Sequence, residues 1–302
     1  MLTCKPRSYS ARRLCEVAKK RGHVARPFDT LRFSLLVDRE ESDLFYDGEH
    51  FESHGVVVPR IGASVTTFGL SVVRQIEELG TLAVNTAEAI AASRDKLRAA
   101  QLLAARGLSV PATAFVRRRE AIRPAIERLG GAPVVVKLLE GTQGIGVVLA
   151  ETTEAAEAVV QALQSAGRNV LIQRFVRESR GRDVRAVVVG GRVVAAMSRV
   201  AKGSEFRSNV HRGGVGERVT LGADFERAAI EAARVLGLDV AGVDMLESRD
   251  GPLVLEVNAS PGLEGIEKTT GIDVATAVIE HAERRVALAQ RRGRSERPHA
   301  SA

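Results

Sequence analysis

The residues best suited to chemistry lie near the end of the chain, in two apolar segments joined by a short turn. Residues 239–247 and 252–258 have the apolar pattern of buried strands, with SRDG between them. Glu256 and Asn258 are two residues apart, so their side chains lie on one face of the second strand while the neighbouring apolar side chains lie on the other. Carboxylate and amide oxygens suit Mg²⁺. The pattern predicts a magnesium site, although two acids at strand ends in water are the alternative.

Asp244 on the first strand joins this site only if it lies opposite Glu256. That register requires an odd number of loop residues, and a three-residue loop over 249–251 provides it, with Gly251 in the left-handed conformation. A two-residue loop of an aspartate and that glycine would place Asp244 opposite Val257 instead. We therefore predict a three-residue loop and a metal set of two carboxylates and one amide.

Lys96 is a candidate phosphate ligand because of its place in a predicted helix. Ser93 can cap the helix at its start, and Gly107 can end it. A lysine in the first turn opposes the helix dipole, at a cost of roughly 0.3 to 1 kcal/mol, which favours an anionic partner such as phosphate. A plain surface lysine is the alternative.

Lys137 lies in a predicted strand over 132–138 that precedes a glycine-rich segment. The segment, EGTQGIG at 140–146, is followed by a second strand at 147–150. A Walker loop or a dinucleotide fingerprint would need a helix after the glycines, so the order strand, loop, strand disfavours both. It favours a mobile hairpin lying over phosphates, with an ordinary hairpin as the alternative.

A helix over 154–166 and a strand over 170–176 follow, and this strand could present its backbone to a flat base. The next strand contains Asp183 and Arg185, two residues apart and therefore on one face. Gly190–Gly191 predicts a two-residue hairpin turn after it. Asp183 and Arg185 have either a functional role or that of a structural ion pair.

The beginning of the chain alternates helix and strand. A helix over 11–22, a strand over 55–61 and a strand over 81–85, with another helix between the two strands, predict a small α/β unit over residues 1–90. The opening MLTCKPRSYS is a poor first strand. We expect either an incomplete first unit or a misplaced start codon.

Bulk composition is that of a globular chain of 302 residues with 45% apolar content. No apolar run approaches the roughly 18 residues that a membrane span needs, so a cytoplasmic protein without a membrane partner is expected. Cys4 and Cys15 have no metal-ligand or redox spacing and are interpreted as ordinary thiols.

The formal net charge of +7 comes mostly from the end of the chain. From Arg284 onward there are six arginines and one glutamate, which accounts for +5. We interpret residues 289–302 as a basic flexible tail and expect no specific nucleic-acid partner; contact with ribosome or RNA is the alternative.

Several motifs, which include the segments described above, resemble those of the RimK family of ATP-grasp glutamate ligases. The resemblance covers about two thirds of the chain, from Pro59 to Asp273, and rests on PRIG, RDKL, VVKLLEGTQGIGVVLAET, FRSN, HRGG, GVD and EVNASPGLEGIEKTTGID. It implies an ATP-grasp fold of α/β class built from α+β subdomains. The implied units are a pre-ATP-grasp α/β domain at 1–90, a central subdomain at 91–180 and a C-terminal subdomain at 181–288.

The resemblance also implies roles for individual residues in binding ATP and two Mg²⁺ or Mn²⁺ ions. Toward the nucleotide, these are Lys96 and Lys137 at the phosphates, Arg174 and Phe175 at adenine, Asp183 at ribose, and Arg207, Ser208 and Asn209 completing the site. Toward the metals and the reaction, they are Asp244, Glu256 and Asn258 as ligands and Arg185 as a cation facing the reacting carboxylate.

The activity implied is transfer of the γ-phosphoryl group of ATP to a peptide's terminal carboxylate, followed by displacement of phosphate by the amine of free L-glutamate. The family's usual acceptor is the C-terminus of small-subunit ribosomal protein six. Family members form homotetramers.

Two residues depart from the family pattern within this region. Arg174 stands where an acidic residue is common, which leaves a backbone contact to adenine but puts a side-chain contact in doubt. Ser198, beside Arg199, stands where a glutamate is expected, which could alter the acceptor or amino-acid pocket.

Two other functions compete with glutamate ligation. One is an ATP-grasp ligase for another amino acid or small-molecule carboxylate, such as a lysine-biosynthesis or glutathione-type enzyme. The other is a nucleotide-binding or RNA-associated module without catalysis. The retained acids Asp244 and Glu256, with Asn258, disfavour the module, which has no need of two metal ions.

Overall fold

The computed structural model describes residues 1–40, 42–52, 54–139, 146–202 and 214–295. Its first part is a small α/β unit in which short strands are covered by helices. In chain order its elements are α1 (Tyr9–Lys20), β1 (Phe33–Leu36), β2 (Asp43–Tyr46), β3 (Glu49–His50), β4 (Val56–Val57), α2 (Thr66–Glu78), β5 (Leu82–Ala83) and α3 (Ala87–Arg94). Strands β4 and β5 pair in parallel, and β1, β2 and β3 form a separate antiparallel sheet.

The opening segment pairs at one residue instead of forming a regular strand. Leu2 is fully buried and bridges Phe28 and Pro59 in parallel. The backbone N–H of Leu2 donates to the carbonyl of Val58 at 3.2 Å, and the N–H of Arg60 donates to the carbonyl of Leu2 at 2.9 Å. The weak strand pattern of the sequence therefore corresponds to a single bridged position in the core.

A four-stranded antiparallel sheet forms the next part, with strand order β6-β9-β7-β8. Its elements are α4 (Lys96–Ala105), β6 (Thr113–Phe115), α5 (Ile122–Arg128), β7 (Val134–Leu138), β8 (Val147–Ala150), α6 (Thr153–Ser165) and β9 (Val170–Arg174). Apolar residues of α5 and α6 pack on this sheet as a core of their own. The predicted order strand, loop, strand is confirmed, although residues 140–145 of the glycine-rich segment lie outside the described residues.

The start of α4 differs from the prediction. The side chain of Asp95 accepts a hydrogen bond from the N–H of Arg98 at 2.9 Å and caps the helix. Ser93 lies inside α3, where its hydroxyl donates to a carbonyl of the same helix. The prediction that Ser93 is the cap was therefore wrong, because α3 extends one residue further. Lys96 is in the first turn as predicted.

A five-stranded antiparallel sheet with the order β12-β11-β10-β13-β14 forms the last part. Its elements are β10 (Arg182–Val189), β11 (Arg192–Val200), β12 (Val215–Arg218), α7 (Ala223–Val235), β13 (Val240–Ser248), β14 (Gly251–Asn258), α8 (Leu263–Thr270) and α9 (Val274–Ser295). One face of this sheet shares a core with α7 and the N-terminal unit. Part of the other face packs on α1, α8 and α9.

The turn between β13 and β14 corrects the predicted loop but not the predicted register. Ser248 pairs with Gly251, so the loop has two residues, and the predicted three-residue loop was wrong. A bulge between Asp244 and Met245 then adds one residue to β14. Asp244 consequently lies opposite Glu256, as the metal hypothesis requires.

The end of the chain also differs from the prediction. Helix α9 continues to Ser295, so the first half of the segment interpreted as a flexible basic tail is helical. Residues 296–302 lie outside the described part. No described helix combines the length and the apolar character needed to cross a membrane.

Candidate functional site

The three predicted metal ligands lie on one face of the hairpin formed by β13 and β14. Asp244 lies opposite Glu256, and Asn258 lies opposite Gly242. Opposed residues in an antiparallel pair point to the same side, so all three side chains share a face. Asp244 is buried with 3% exposure, Glu256 is exposed, and Asn258 is intermediate.

Asp244 is held by two arginines from neighbouring strands. Two nitrogens of the Arg185 guanidinium donate to Asp244, Nε to Oδ1 and Nη2 to Oδ2, each at 2.6 Å. Nη2 of Arg199 lies 2.9 Å from Oδ2. Burial alone would raise the pKa of Asp244, but attraction to Arg185 and Arg199 outweighs burial and lowers the pKa to about 2. The carboxylate is therefore ionised throughout the neutral range.

Asp183 is the second acid of this network. Both of its oxygens accept hydrogen bonds from Arg199, from Nε at 2.6 Å and from Nη2. Both side chains are almost fully buried. Burial lowers the pKa of Arg199, but Asp244 and Asp183 reverse that effect and raise it. The predicted role of Asp183 toward ribose stays a prediction, since the described contacts show it holding Arg199.

The donor set fits Mg²⁺ or Mn²⁺. A carboxylate has about four lone-pair positions, and the arginines use three of those on Asp244, leaving capacity on Oδ1. Within the described ranges, the side chains of Glu256 and Asn258 form no hydrogen bond. No described group of three or more His, Cys, Asp or Glu side chains could hold a metal ion, and this candidate set relies on an amide for its third ligand.

Two predicted phosphate ligands meet at β7. Lys96 donates to the carbonyl of Leu138 at 3.1 Å, and Lys137 donates to Oε1 of Gln173 at 2.6 Å. Burial lowers the pKa of Lys137 to about 8; Glu256 raises it and Lys96 lowers it further. Glu256 of the five-stranded sheet is therefore close enough to Lys137 of the four-stranded sheet for their charges to attract each other.

The predicted adenine contacts lie at the end of β9. Arg174 has an exposed side chain, and its backbone N–H donates to the carbonyl of Ala112 at 2.8 Å. That N–H is therefore already engaged, which leaves other backbone groups for a contact with a base. Phe175 is partly buried next to it. Arg207, Ser208 and Asn209 lie outside the described residues.

Ser198 faces away from this site. It lies opposite Val184 on one side and Glu217 on the other, whereas Arg199 lies opposite Asp183. Adjacent residues of a strand point to opposite faces. Ser198 therefore does not share the face of Asp244, and its effect on an acceptor or amino-acid pocket stays a prediction.

Sequence reasoning missed Arg199 as a member of the site. A simple two-residue turn at Gly190–Gly191 would place Ser198, not Arg199, opposite Asp183. A bulge between Val187 and Val188 shifts the register by one residue. The only signal in the sequence was the arginine itself, since a bulge of this kind has no distinctive residue pattern here.

Comparisons with known proteins identify the family of this chain. Residues 93–282 match the model of the RimK-like ATP-grasp domain, and residues 1–90 match that of the RimK PreATP-grasp domain. The chain is 54% identical over 281 residues to a probable alpha-L-glutamate ligase of Rhodopirellula baltica, covering 93% of this chain and 69% of that protein. It is 50% identical over 283 residues to one of Aeromonas salmonicida, covering 94% and 95%.

Solved structures share the fold. A RimK domain ATP-grasp protein from Sphaerobacter thermophilus is 25% identical with a TM-score of 0.70, over 93% of this chain and 97% of that one. The ATP-grasp ligase PsnB, complexed with a phosphomimetic variant of minimal precursor, Mg and ADP, is 23% identical with a TM-score of 0.71, over 93% and 96%. Because a family model spans more than half of the chain and relatives about half identical cover over nine tenths of it, the chain belongs to the RimK family of ATP-grasp ligases and is an ATP-dependent ligase.

Proposed function

We propose that this ligase attaches L-glutamate to the C-terminal carboxylate of a protein or peptide acceptor. The relatives that are about half identical to it are named as probable alpha-L-glutamate ligases. A neighbour of the same fold, PsnB, was solved with a precursor peptide and AMPPNP, so that enzyme binds a peptide. The acceptor that we propose is small-subunit ribosomal protein six, the usual acceptor of the family.

The observation that supports this proposal most directly is the meeting of cations and carboxylates from two sheets. Lys137 of the four-stranded sheet is attracted to Glu256 of the five-stranded sheet. Beside Glu256, Asp244 is held by Arg185. A triphosphate and a reacting carboxylate are both anionic, and their approach requires fixed positive charge on both sides.

In the proposed reaction, the acceptor carboxylate takes the γ-phosphoryl group of ATP, which forms an acyl phosphate and ADP. The unprotonated amine of glutamate then attacks the acyl carbon, the C–O bond to phosphate breaks, and an amide forms with loss of one proton from nitrogen. Lys96 and Lys137 would neutralise the phosphates, and Arg185 would orient the acceptor carboxylate. Bound Mg²⁺, held by Asp244, Glu256 and Asn258, would supply further neutralisation of phosphate charge.

The remaining nucleotide contacts are part of the same proposal. The backbone around Arg174 and Phe175 would meet adenine, and Asp183 would contribute near ribose. Arg207, Ser208 and Asn209 would complete the nucleotide site. Assembly as a homotetramer and a cytoplasmic location are also proposed, on the family resemblance alone.

The test is an assay that separates the substrates. The protein is mixed with ATP, Mg²⁺, a synthetic peptide of the acceptor C-terminus, and each amino acid in turn, while ADP release and peptide mass are followed. We expect ADP formation and stepwise mass increments of one glutamyl residue with glutamate only. A reaction that proceeds with lysine or another amino acid and not with glutamate would contradict the proposal, and nucleotide binding without turnover would favour the non-catalytic module.

A further inference from the structure

Two arginines beside the candidate metal site are held by backbone carbonyls instead of carboxylates. Nη2 of Arg60 donates to the carbonyl of Pro261 at 2.7 Å and lies 3.5 Å from that of Ser260. Nη2 of Arg94 donates to the carbonyl of Ile61. Arg94 therefore reaches the residue next to Arg60, and the two side chains belong to one region of the molecule.

Neither arginine forms an ion pair with a described carboxylate, the partner that a partly buried cation normally requires. Burial lowers the pKa of Arg60 to about 10, and no described charged group offsets that effect. Burial also lowers the pKa of Arg94, partly offset by attraction to Glu256. Within the described ranges neither guanidinium forms an ion pair, whereas Arg185 and Arg199 each hold carboxylates.

Unsatisfied polar atoms lie in the same region. Nε of Arg94 and Oγ of Ser260 are buried and have no hydrogen-bond partner in the part of the chain that the structure describes. Leaving a buried donor unpaired costs about 1 to 3 kcal/mol, and more when it is charged. Such groups in native structures often await a ligand or an ordered water.

The chain places this region at the edge of the proposed active site. Ser260 and Pro261 follow Asn258 by two and three residues, and Arg94 precedes Lys96 by two residues. Arg94 is close enough to Glu256, one of the proposed metal ligands, for the two charges to attract each other. An anion bound here would adjoin both the phosphates and the metals.

We infer that Arg60, Arg94 and Ser260 form a carboxylate-binding subsite for one of the ligase's acidic substrates. A guanidinium fork matches the two oxygens of a carboxylate, and the backbone contact of each arginine leaves other N–H donors for a ligand. The serine hydroxyl adds a neutral donor. This inference rests on the proposed function, which supplies two sources of carboxylate: free glutamate and the acceptor terminus.

Steady-state kinetics of single variants test the subsite. We expect Arg94→Gln and Arg60→Gln each to raise KM for glutamate or for the acceptor peptide by about tenfold to a hundredfold, the range for a lost hydrogen bond to a charged group. KM for ATP should change by less than about threefold. Arg98→Gln is the matched control, because Arg98 is exposed on the first turn of α4, and its KM values should match those of the wild type.

The substrate whose KM rises identifies the source of the carboxylate. Unchanged KM values for both carboxylate substrates, or an increase confined to ATP, would overturn the inference. Arg60→Lys and Ser260→Ala provide further variants should Arg60→Gln not fold. Because Arg60→Lys keeps the positive charge, we expect it to raise KM for the carboxylate substrate less than Arg60→Gln does.

A binding measurement separates this inference from the proposed function. Stabilisation by L-glutamate and, separately, by the acceptor peptide is followed by thermal denaturation with ADP and Mg²⁺ present, where no turnover occurs. We expect stabilisation of the wild type by one of them and its loss in Arg94→Gln. If turnover uses another amino acid, the proposed function fails, yet loss of peptide-dependent stabilisation in the variant would still support the subsite. Equal stabilisation of wild type and variant would refute it.

Discussion

Arg185 and Arg199 both hold Asp244, but their surroundings give them different capacities. The side chain of Arg199 is 3% exposed and divides its donors between two carboxylates. The side chain of Arg185 is 17% exposed, and Asp244 is its only ion-pair partner among the described residues. Only Arg185 can therefore meet a substrate without the network being dismantled, and Arg199 acts by fixing the orientation of Asp244.

Replacing Arg185 tests its proposed role at the acceptor carboxylate. We expect Arg185→Ala to lower kcat by about a hundredfold to a thousandfold, the loss typical of a group that stabilises developing charge, while the Kd for ATP changes by less than about threefold. Turnover is measured by ADP release and nucleotide binding by calorimetry.

Arg182→Ala is the control for that experiment. Arg182 lies on the same strand, is exposed, and forms a solvent-exposed ion pair with Glu247 at 3.5 Å. Its turnover should equal that of the wild type. Wild-type turnover in Arg185→Ala would remove Arg185 from the mechanism.

At the scale of elements, two bulges determine which charged residues meet. The bulge at Val187 and Val188 brings Arg199 opposite Asp183, and the bulge at Asp244 and Met245 brings Glu256 opposite Asp244. Because side chains alternate along a strand, a slip of one residue would move each partner to the other face. The site therefore depends on two irregularities in an otherwise regular sheet.

The hairpin turn between β10 and β11 is also held by a contact with α9. Gly190 and Gly191 have φ of 56° and 75°, a conformation that favours glycine. A Cβ at Gly190 would lie 2.5 Å from Nδ1 of His281, which is 8% exposed, whereas a Cβ at Gly191 would meet nothing within 4 Å. An alanine at either position would therefore be strained in its backbone, but only at Gly190 would its Cβ also overlap a neighbouring side chain.

We expect Gly190→Ala to lower the free energy of unfolding by about 3 kcal/mol and Gly191→Ala by about 1 kcal/mol, since only the former adds a steric overlap to the backbone strain. Urea unfolding of both variants measures the difference. In a His281→Ala background the two glycine substitutions should become similar. If they already cost the same in the wild type, the contact with α9 does not constrain the turn.

At the scale of the whole molecule, the candidate site draws its residues from two sheets with separate cores. Lys137 belongs to the four-stranded sheet and Glu256 to the five-stranded sheet, and attraction to Glu256 partly opposes the lowering of the Lys137 pKa by burial. A lysine with a lowered pKa between a carboxylate and Lys96 is sensitive to pH in the range where enzymes are assayed.

Nucleotide affinity should therefore fall as pH rises through about 8, because Lys137 loses its proton there and with it the attraction for phosphate. Calorimetry with ADP and Mg²⁺ at a series of pH values measures this dependence. Lys137→Arg should bind with a flatter profile, since a guanidinium keeps its proton in that range. An identical profile in both proteins would assign the pH dependence to another group.

The short-range pattern of the sequence was enough to predict several local features of this protein. Alternation placed Glu256 and Asn258 on one face, paired glycines predicted the turn at Gly190–Gly191, and the order strand, loop, strand around 140–146 disfavoured a Walker loop. These features depend on residues close in the chain, so local propensity and period determine them. The family motifs extended the same inference to an ATP-grasp fold.

Tertiary structure determined which charged side chains pair with each other. The sequence by itself placed Asp183 and Arg185 on one face but left open which carboxylate each charge would meet. A bulge between Val187 and Val188 placed Arg199 opposite Asp183, whereas the uninterrupted register of β10 and β13 placed Arg185 opposite Asp244. Packing of distant segments placed Arg60 and Arg94 on backbone carbonyls, with no ion pair to any described residue. Such pairings arise from contacts far apart in the chain, whose register and burial no local pattern specifies.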